Sequence, residues 1–278
     1  MTNTAFQLEW LRPTLDRCRD VVAQNRSPKR WNKSSTHGGA ELVTEVDVAV
    51  ERLLTEAILQ RQPNASILSE ESSPDPSAME NETCFVIDPI DGTDELVAGR
   101  PGFGISIALF HNQRPVAALL DQPAHDRRFQ CTAGGGTTLN GRAVRLLELA
   151  DLSHARIAVS ATQYRMARLQ PFWRSISVDR VVPTPAFAAK FAVVLAGECN
   201  AALNLPVQPH ETAIWDYAAP ALLLAEAGGW FCTTDGTDLL RNQPFLFADG
   251  WIACPPGLRD SLLDVARRVP DVGPSGYV

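Results

Sequence analysis

CFVIDPIDGTDELVAGRPGFG, residues 84–104, is the stretch whose reading decides the fold. Cys84 to Ile87 form a short, continuous apolar run of the kind a buried strand gives, and Asp88-Pro89 is predicted to end it. Proline disfavours the α region for the residue before it, which keeps Asp88 extended at the strand mouth. Gly92 lets the chain turn sharply, and Thr93 is predicted as the N-cap of a helix with Asp94 and Glu95 in its first turn. The amides of Gly92 and Thr93 then face an anion, and the Ile90 carbonyl is left free. Two carboxylates, a carbonyl and a helix start make an oxygen-rich pocket suited to a hard cation such as Mg²⁺ that holds a phosphate. Read alone, D-P-x-D is equally an ordinary turn in which Asp88 and Asp91 only shape the backbone.

Upstream, Thr44-Glu45-Val46-Asp47 opens a helical pattern carried by Val46, Val50, Leu53, Leu54, Ala57 and Ile58. T-x-x-D there is a capping box. Ile67 and Leu68 end a short strand before Glu70-Glu71, adjacent carboxylates that repel unless a cation or solvent offsets them. Leu8, Leu11, Leu15, Cys18 and Val22 predict an amphipathic first helix near Pro13, and the polar, basic run 27–40 predicts a mobile loop. Downstream, residues 104–110, 116–120 and 127–132 predict an antiparallel meander. Gly134-Gly135-Gly136 and Asn140-Gly141 supply its turns, since no G-K-[ST] follows to make a phosphate loop. After about residue 150 the pattern alternates. Strands are predicted at 155–160, 178–182, 201–205, 230–233 and 251–253, helices at 186–196, 215–227 and 258–268, and a frayed tail at 270–278.

The 278 residues suffice for one large or two intimate domains. A net charge of -7 argues against a surface that wraps a nucleic-acid polymer. The N-terminus lacks the basic start and apolar core of a signal peptide, and no apolar run reaches membrane-spanning length, so the expected compartment is the cytoplasm. Six scattered cysteines without C-x-x-C predict reduced core thiols. Five dispersed histidines predict no catalytic histidine.

D-P-I-D-G-T after an apolar strand, Ser69-Glu70-Glu71-Ser72 before it, and Ile214-Trp215-Asp216-Tyr217-Ala218-Ala219 leading into Glu226-Ala227-Gly228-Gly229 resemble the signatures of the inositol monophosphatase superfamily, in order and approximate spacing. The resemblance implies an α+β fold, a layered αβαβα sandwich. An N-terminal α+β half, 1–150, would carry most metal ligands, and a C-terminal α/β half, 151–278, would donate Asp216 across a cleft. Alone, Asp216 reads as a first-turn acid complementing a helix dipole. The implied activity is hydrolysis of a phosphate monoester without a covalent intermediate, using two or three Mg²⁺ ions, with Mn²⁺ able to substitute. Glu70, Asp88, Asp91, Asp216 and the Ile90 carbonyl are the implied ligands. Asp47 and Thr93 are the implied water-activating pair, Gly92 and Thr93 the phosphate-holding amides, Lys33 a candidate phosphate or metal-site contact, and Glu71 a weaker neighbour of Glu70 counted with the substrate-binding residues. A homodimer inhibited by Li⁺ is also implied.

For the substrate, Lys190-Phe191, Glu95 after D-G-T and Pro220 resemble the 3'(2'),5'-bisphosphate nucleotidase branch, which makes adenosine 3',5'-bisphosphate the lead and Lys190 its contact. Lys190 reads equally as a solvated residue on an amphipathic helix. Asp121-Gln122-Pro123 and Asn140-Gly141 are shared with inositol monophosphatases and histidinol-phosphatases, the alternatives. Pro185, Ala186 and Phe187 stand where family members often carry glycine and hydroxyl residues, in the expected substrate-facing wall. A regulator that binds phosphorylated ligands or partner proteins on the same scaffold is the non-enzymatic alternative.

Overall fold

The computed structural model describes residues 7–25, 28–34, 40–72, 74–206, 212–248 and 250–269. In chain order the elements begin with α1 (Arg12–Gln24), β1 (Arg30–Ser34), β2 (Ala40–Thr44), α2 (Glu45–Arg61), β3 (Ser66–Ser69), β4 (Thr83–Asp91) and α3 (Thr93–Val97). The meander follows as β5 (Gly104–His111), β6 (Arg114–Gln122), β7 (Arg127–Thr132), β8 (Gly136–Leu139) and β9 (Arg142–Val144). Then come β10 (Arg156–Ser160), α4 (Ala161–Arg165), α5 (Gln170–Ser175), β11 (Arg180–Thr184), α6 (Phe187–Leu195) and β12 (Ala201–Asn204). The chain closes with β13 (Thr212–Ala213), α7 (Ile214–Glu226), β14 (Trp230–Thr233), α8 (Leu239–Asn242), β15 (Leu246–Phe247), β16 (Trp251–Cys254) and α9 (Arg259–Arg267).

Strands β3 to β9 form a seven-stranded sheet in sequential order, with β3 parallel to β4 and every later pair antiparallel. The second sheet has the order β11-β10-β12-β16-β14, parallel across its first three strands and antiparallel at β16 and β14. Alternation along the strands assigns the layers, because neighbouring side chains point to opposite faces. Phe85, Ile87, Ile107 and Leu109 pack with Leu15 and Cys18 of α1 and Val50 and Leu54 of α2. Cys84, Val86, Ala108 and Phe110 face the other way, onto α6 and α7, which also take Ala158, Ala202 and Ala253 of the second sheet. Ile157, Leu203 and Ile252 point outward from that sheet to α5 and α9. The result is the αβαβα sandwich. Its central helix α7 is buried on nearly every side, as its apolar sequence requires.

Three sequence expectations are corrected. Residues 30–34 and 40–44 are the paired strands of an antiparallel ribbon, not a mobile loop; residues 26–27 and 35–39 lie outside the described residues, as does the tail 270–278. Alternation of Trp31 and Lys33 with polar neighbours was too short to register as a strand. Strand β4 does not stop at Asp88 but runs to Asp91, because a shift of register between Asp88 and Asp91 accommodates Pro89, which has no N–H to give a ladder. Gly92, at φ 87°, is the N-cap of α3 rather than Thr93, whose hydroxyl is turned elsewhere. All six cysteines are buried and free, as expected.

Candidate active site

The acidic turn opens into a cleft of about 540 Å³ between the two sheets. Glu70, Asp88, Ile90, Asp91, Gly92 and Thr93 line it from the first sheet, and Lys190 and Asp216 from α6 and α7. Each arrives for a local reason. The bulge in β4 brings Asp88 and Asp91 to one mouth. Gly92 needs its missing side chain: a Cβ there would come within 2.9 Å of the Ala186 Cβ and 3.0 Å of the Gly102 carbonyl. Asp216 sits in the first turn of α7, where its Oδ2 accepts from the Ala213 amide at 2.7 Å, so its helix-start role and its place in the cleft coexist.

Asp91 is held by α6, accepting from the Phe187 amide at 3.0 Å and the Ala188 amide at 2.8 Å. The residue before that helix turn, Ala186, has φ 52° and ψ 164°, a backbone state normally left to glycine and worth roughly 1–3 kcal/mol of strain in other residues. The expected glycine is therefore absent while the conformation it serves is kept.

Asp88 is 1% exposed, and its Oδ1 has no hydrogen-bond partner among the described residues. Burial first, then repulsion from Glu70, Asp91 and Asp216, pushes its carboxyl well above the usual range. Its contact with Glu70 is a hydrogen bond between two acids, which requires a proton on one of them unless a cation intervenes. Burial also raises Asp91, against the pull of Lys190 and the α6 amides. Such a set of oxygens suits a hard cation. No three acid, histidine or cysteine side chains among the described residues close a shell unaided, so the Ile90 carbonyl, substrate or water would complete it.

Behind the turn, Asp47 is 1% exposed and anchors the capping box of α2. Its Oδ2 accepts from the Thr44 amide at 2.9 Å and from the Thr44 hydroxyl, leaving Oδ1 to accept from the Thr93 hydroxyl at 2.8 Å. Burial raises the Asp47 carboxyl, which makes it the better proton acceptor near neutral pH. Lys33, Glu71 and Asp47 do not line the cleft. The Glu71 carboxylate is turned to the Lys33 ammonium at 2.8 Å, and Lys33 also reaches the Glu70 carbonyl at 3.2 Å. Lys190 lies in the cleft but is only 6% exposed, with its Nζ on the Ala186 carbonyl.

Sequence reasoning missed the remaining wall. Ser160, Thr162 and Arg165, at the carboxyl end of β10 and on α4, face the same cleft, as does Arg100, which donates to Glu95 from Nε at 2.9 Å. No motif carries Ser160, Thr162 and Arg165; the position of a strand's carboxyl end beside the acidic turn marks them, whereas Arg100 lies beyond the turn itself, after α3.

The sequence model of the inositol monophosphatase family matches residues 10–269. An inositol monophosphatase of Dictyostelium discoideum is 34% identical over 213 residues, 72% of this chain and 76% of the relative. The Nus factor SuhB of Salmonella typhimurium is 30% identical over 265 residues, 90% of this chain and 94% of the relative. A solved IMPase/NADP phosphatase complexed with Mg²⁺ and phosphate shares the fold with a TM-score of 0.78 at 20% identity, covering 94% of this chain and 95% of its own.

Proposed function

Because the chain belongs to the inositol monophosphatase family and is a phosphomonoesterase, we propose that it hydrolyses small phosphorylated metabolites with Mg²⁺ as cofactor. The observation that carries the cofactor is the buried Asp88 Oδ1, without a hydrogen-bond partner among the described residues and repelled by Glu70, Asp91 and Asp216. These four acids and the Ile90 carbonyl are the proposed ligands of two or more ions. When bound, the cation supplies charge that holds the phosphate, lowers the pKa of water and stabilises the leaving oxygen.

The remaining steps belong to the chain's own groups. The Thr93 hydroxyl gives its proton to Asp47 at 2.8 Å, so its lone pairs are free to take one from an attacking water, with Asp47 as the final acceptor. The raised Asp47 carboxyl supports this direction of transfer. Gly92 and Thr93 amides would hold a phosphate oxygen as charge builds on it. Glu71 and Lys33 steady Glu70 from behind through the ion pairs of the ribbon.

For the alcohol, two substrates merit direct comparison. The Bacillus subtilis relative, an inositol-1-monophosphatase 30% identical over 213 residues, favours inositol 1-phosphate. Adenosine 3',5'-bisphosphate is favoured by two arginines in the wall, Arg100 and Arg165, which suit a second anionic group. The family resemblance supports a cytoplasmic homodimer inhibited by Li⁺. Phosphate release from both substrates, with Mg²⁺ and after chelation, tests the reading. Release that requires added Mg²⁺ is expected; equal release after exhaustive chelation, or none from any phosphate monoester, would overturn it.

A further inference from the structure

We propose that Lys190 is a built-in counter-ion of the cleft carboxylates, a charge with which a bound cation must compete, and not a hook for substrate. The inference rests on the Mg²⁺-dependent reading above. Lys190 is the fourth residue of α6, and its side chain folds back along the helix until Nζ reaches the Ala186 carbonyl, just ahead of the first turn. Asp91 docks on the same end, at the Phe187 and Ala188 amides. The ammonium and the carboxylate therefore share one helix terminus.

That terminus is the positive end of the helix dipole, where a cation is disfavoured. Both this and burial disfavour the ammonium, and burial, the largest influence, lowers the Lys190 pKa to about 8. The groups that act in the opposite sense are Asp91 and Asp216, two of the proposed metal ligands. The indole of Trp251 adds to the confinement, with its centroid 5.9 Å from Nζ. With its head group on a backbone carbonyl, beside a ring face and at the helix end where Asp91 docks, the side chain has little freedom to follow a substrate. Four acids meet here, and one lysine neutralises only part of their charge. The remainder is left for a cation, and the lysine limits how tightly that cation is held.

A neutral residue at 190 should tighten Mg²⁺ binding, because a divalent ion then enters a more negative site. At the effective dielectric of such sites, removing a unit charge a few ångströms away corresponds to about tenfold or more in affinity. The test is calorimetric titration of Mg²⁺ into the metal-free full chain, for wild type and Lys190→Met, with unfolding midpoints recorded in chelator and in Mg²⁺. The expected result is a Kd lowered about tenfold and a larger Mg²⁺-induced rise in Tm than in wild type. If Lys190→Met does not fold, Lys190→Gln, which keeps a donor for the Ala186 carbonyl, repeats the comparison. Unchanged or weakened Mg²⁺ binding in a folded neutral variant overturns the counter-ion role. A raised KM for adenosine 3',5'-bisphosphate with unaltered Mg²⁺ affinity would do so too, and would return Lys190 to the substrate. Absence of Mg²⁺ binding by wild type would instead overturn the metal-dependent reading on which this inference stands.

Discussion

Asp88 and Asp121 are buried acids at one end of the same sheet, two strands apart, and they are treated in opposite ways. Asp121 is fully buried on the α1 side, and its carboxylate accepts from Arg19 at 2.8 and 2.9 Å and from Arg128 at 2.7 Å. Those arginines are in turn held by Asp126 at 2.6 Å and Asp16 at 2.9 Å. Asp88, on the opposite face, meets three more acids and leaves one oxygen without a partner. A buried charge is tolerated where its partners come with the fold. Where they do not, the fold carries a cost that binding relieves. The first pattern ties α1 to the sheet; the second is a site.

The largest effects should come from the second pattern and should be on chemistry. Asp88→Asn and Asp216→Asn are expected to lower turnover by about 10³-fold or more, with circular dichroism unchanged, since they remove ligands of the charge that stabilises the transition state. If either variant kept the wild-type rate with every substrate tried, its carboxylate would belong with the structural acids. Next come Thr93→Ala and Asp47→Asn, for which kcat should fall roughly 10²- to 10⁴-fold with little change in KM. A rate loss that tracks lost folding would leave Asp47 only its capping role at Thr44.

A pH series sharpens the contrast further. Asp88 and Asp91 have folded-state pKa values raised above the ordinary range, so the metal-free native protein holds more protons than the unfolded chain. Stability should therefore be fully present below about pH 4, where unfolded carboxyls also carry protons, and decline as pH rises through the higher folded values. Mg²⁺ should flatten that decline. Unfolding midpoints in chelator and in Mg²⁺ across this range provide the check, and parallel curves would mean that the acids carry no burden a cation relieves.

What the sequence made legible was local. The D-P-I-D-G-T turn, the Thr44–Asp47 capping box and the Trp215-Asp216 helix start each hold their information within a few residues; the capping box stands where it was read, while the turn's strand end, its N-cap and the helix start lie one to three residues away. The elements followed from alternation and helical spacing, and the layering from the family resemblance. Contacts across long separations were not legible: Thr93 reaches Asp47 over 46 positions, and Arg19 reaches Asp121 over 102. The family resemblance had to supply the first, and nothing supplied the second. The ribbon 30–44 escaped because pairing, not propensity, makes it a strand pair. Arg165 escaped because a cleft wall is assembled from elements that no single motif spans, and Arg100, although within the decisive stretch, because nothing local turns it toward the cleft.

The most direct test of the distinction between the two acids is a pair of unfolding midpoints, measured in chelator at pH 8 for Asp88→Asn and Asp121→Asn against wild type. Removing a carboxylate repelled by its neighbours should leave the metal-free protein at least as stable and about 2 to 4 °C higher in Tm, the equivalent of ~1 kcal/mol for a chain of this size class. Removing the carboxylate that holds Arg19 and Arg128 should cost about 3 kcal/mol and lower Tm by roughly 6 to 12 °C. Both variants falling together would contradict the claim that the Asp88 cluster is built for a cation.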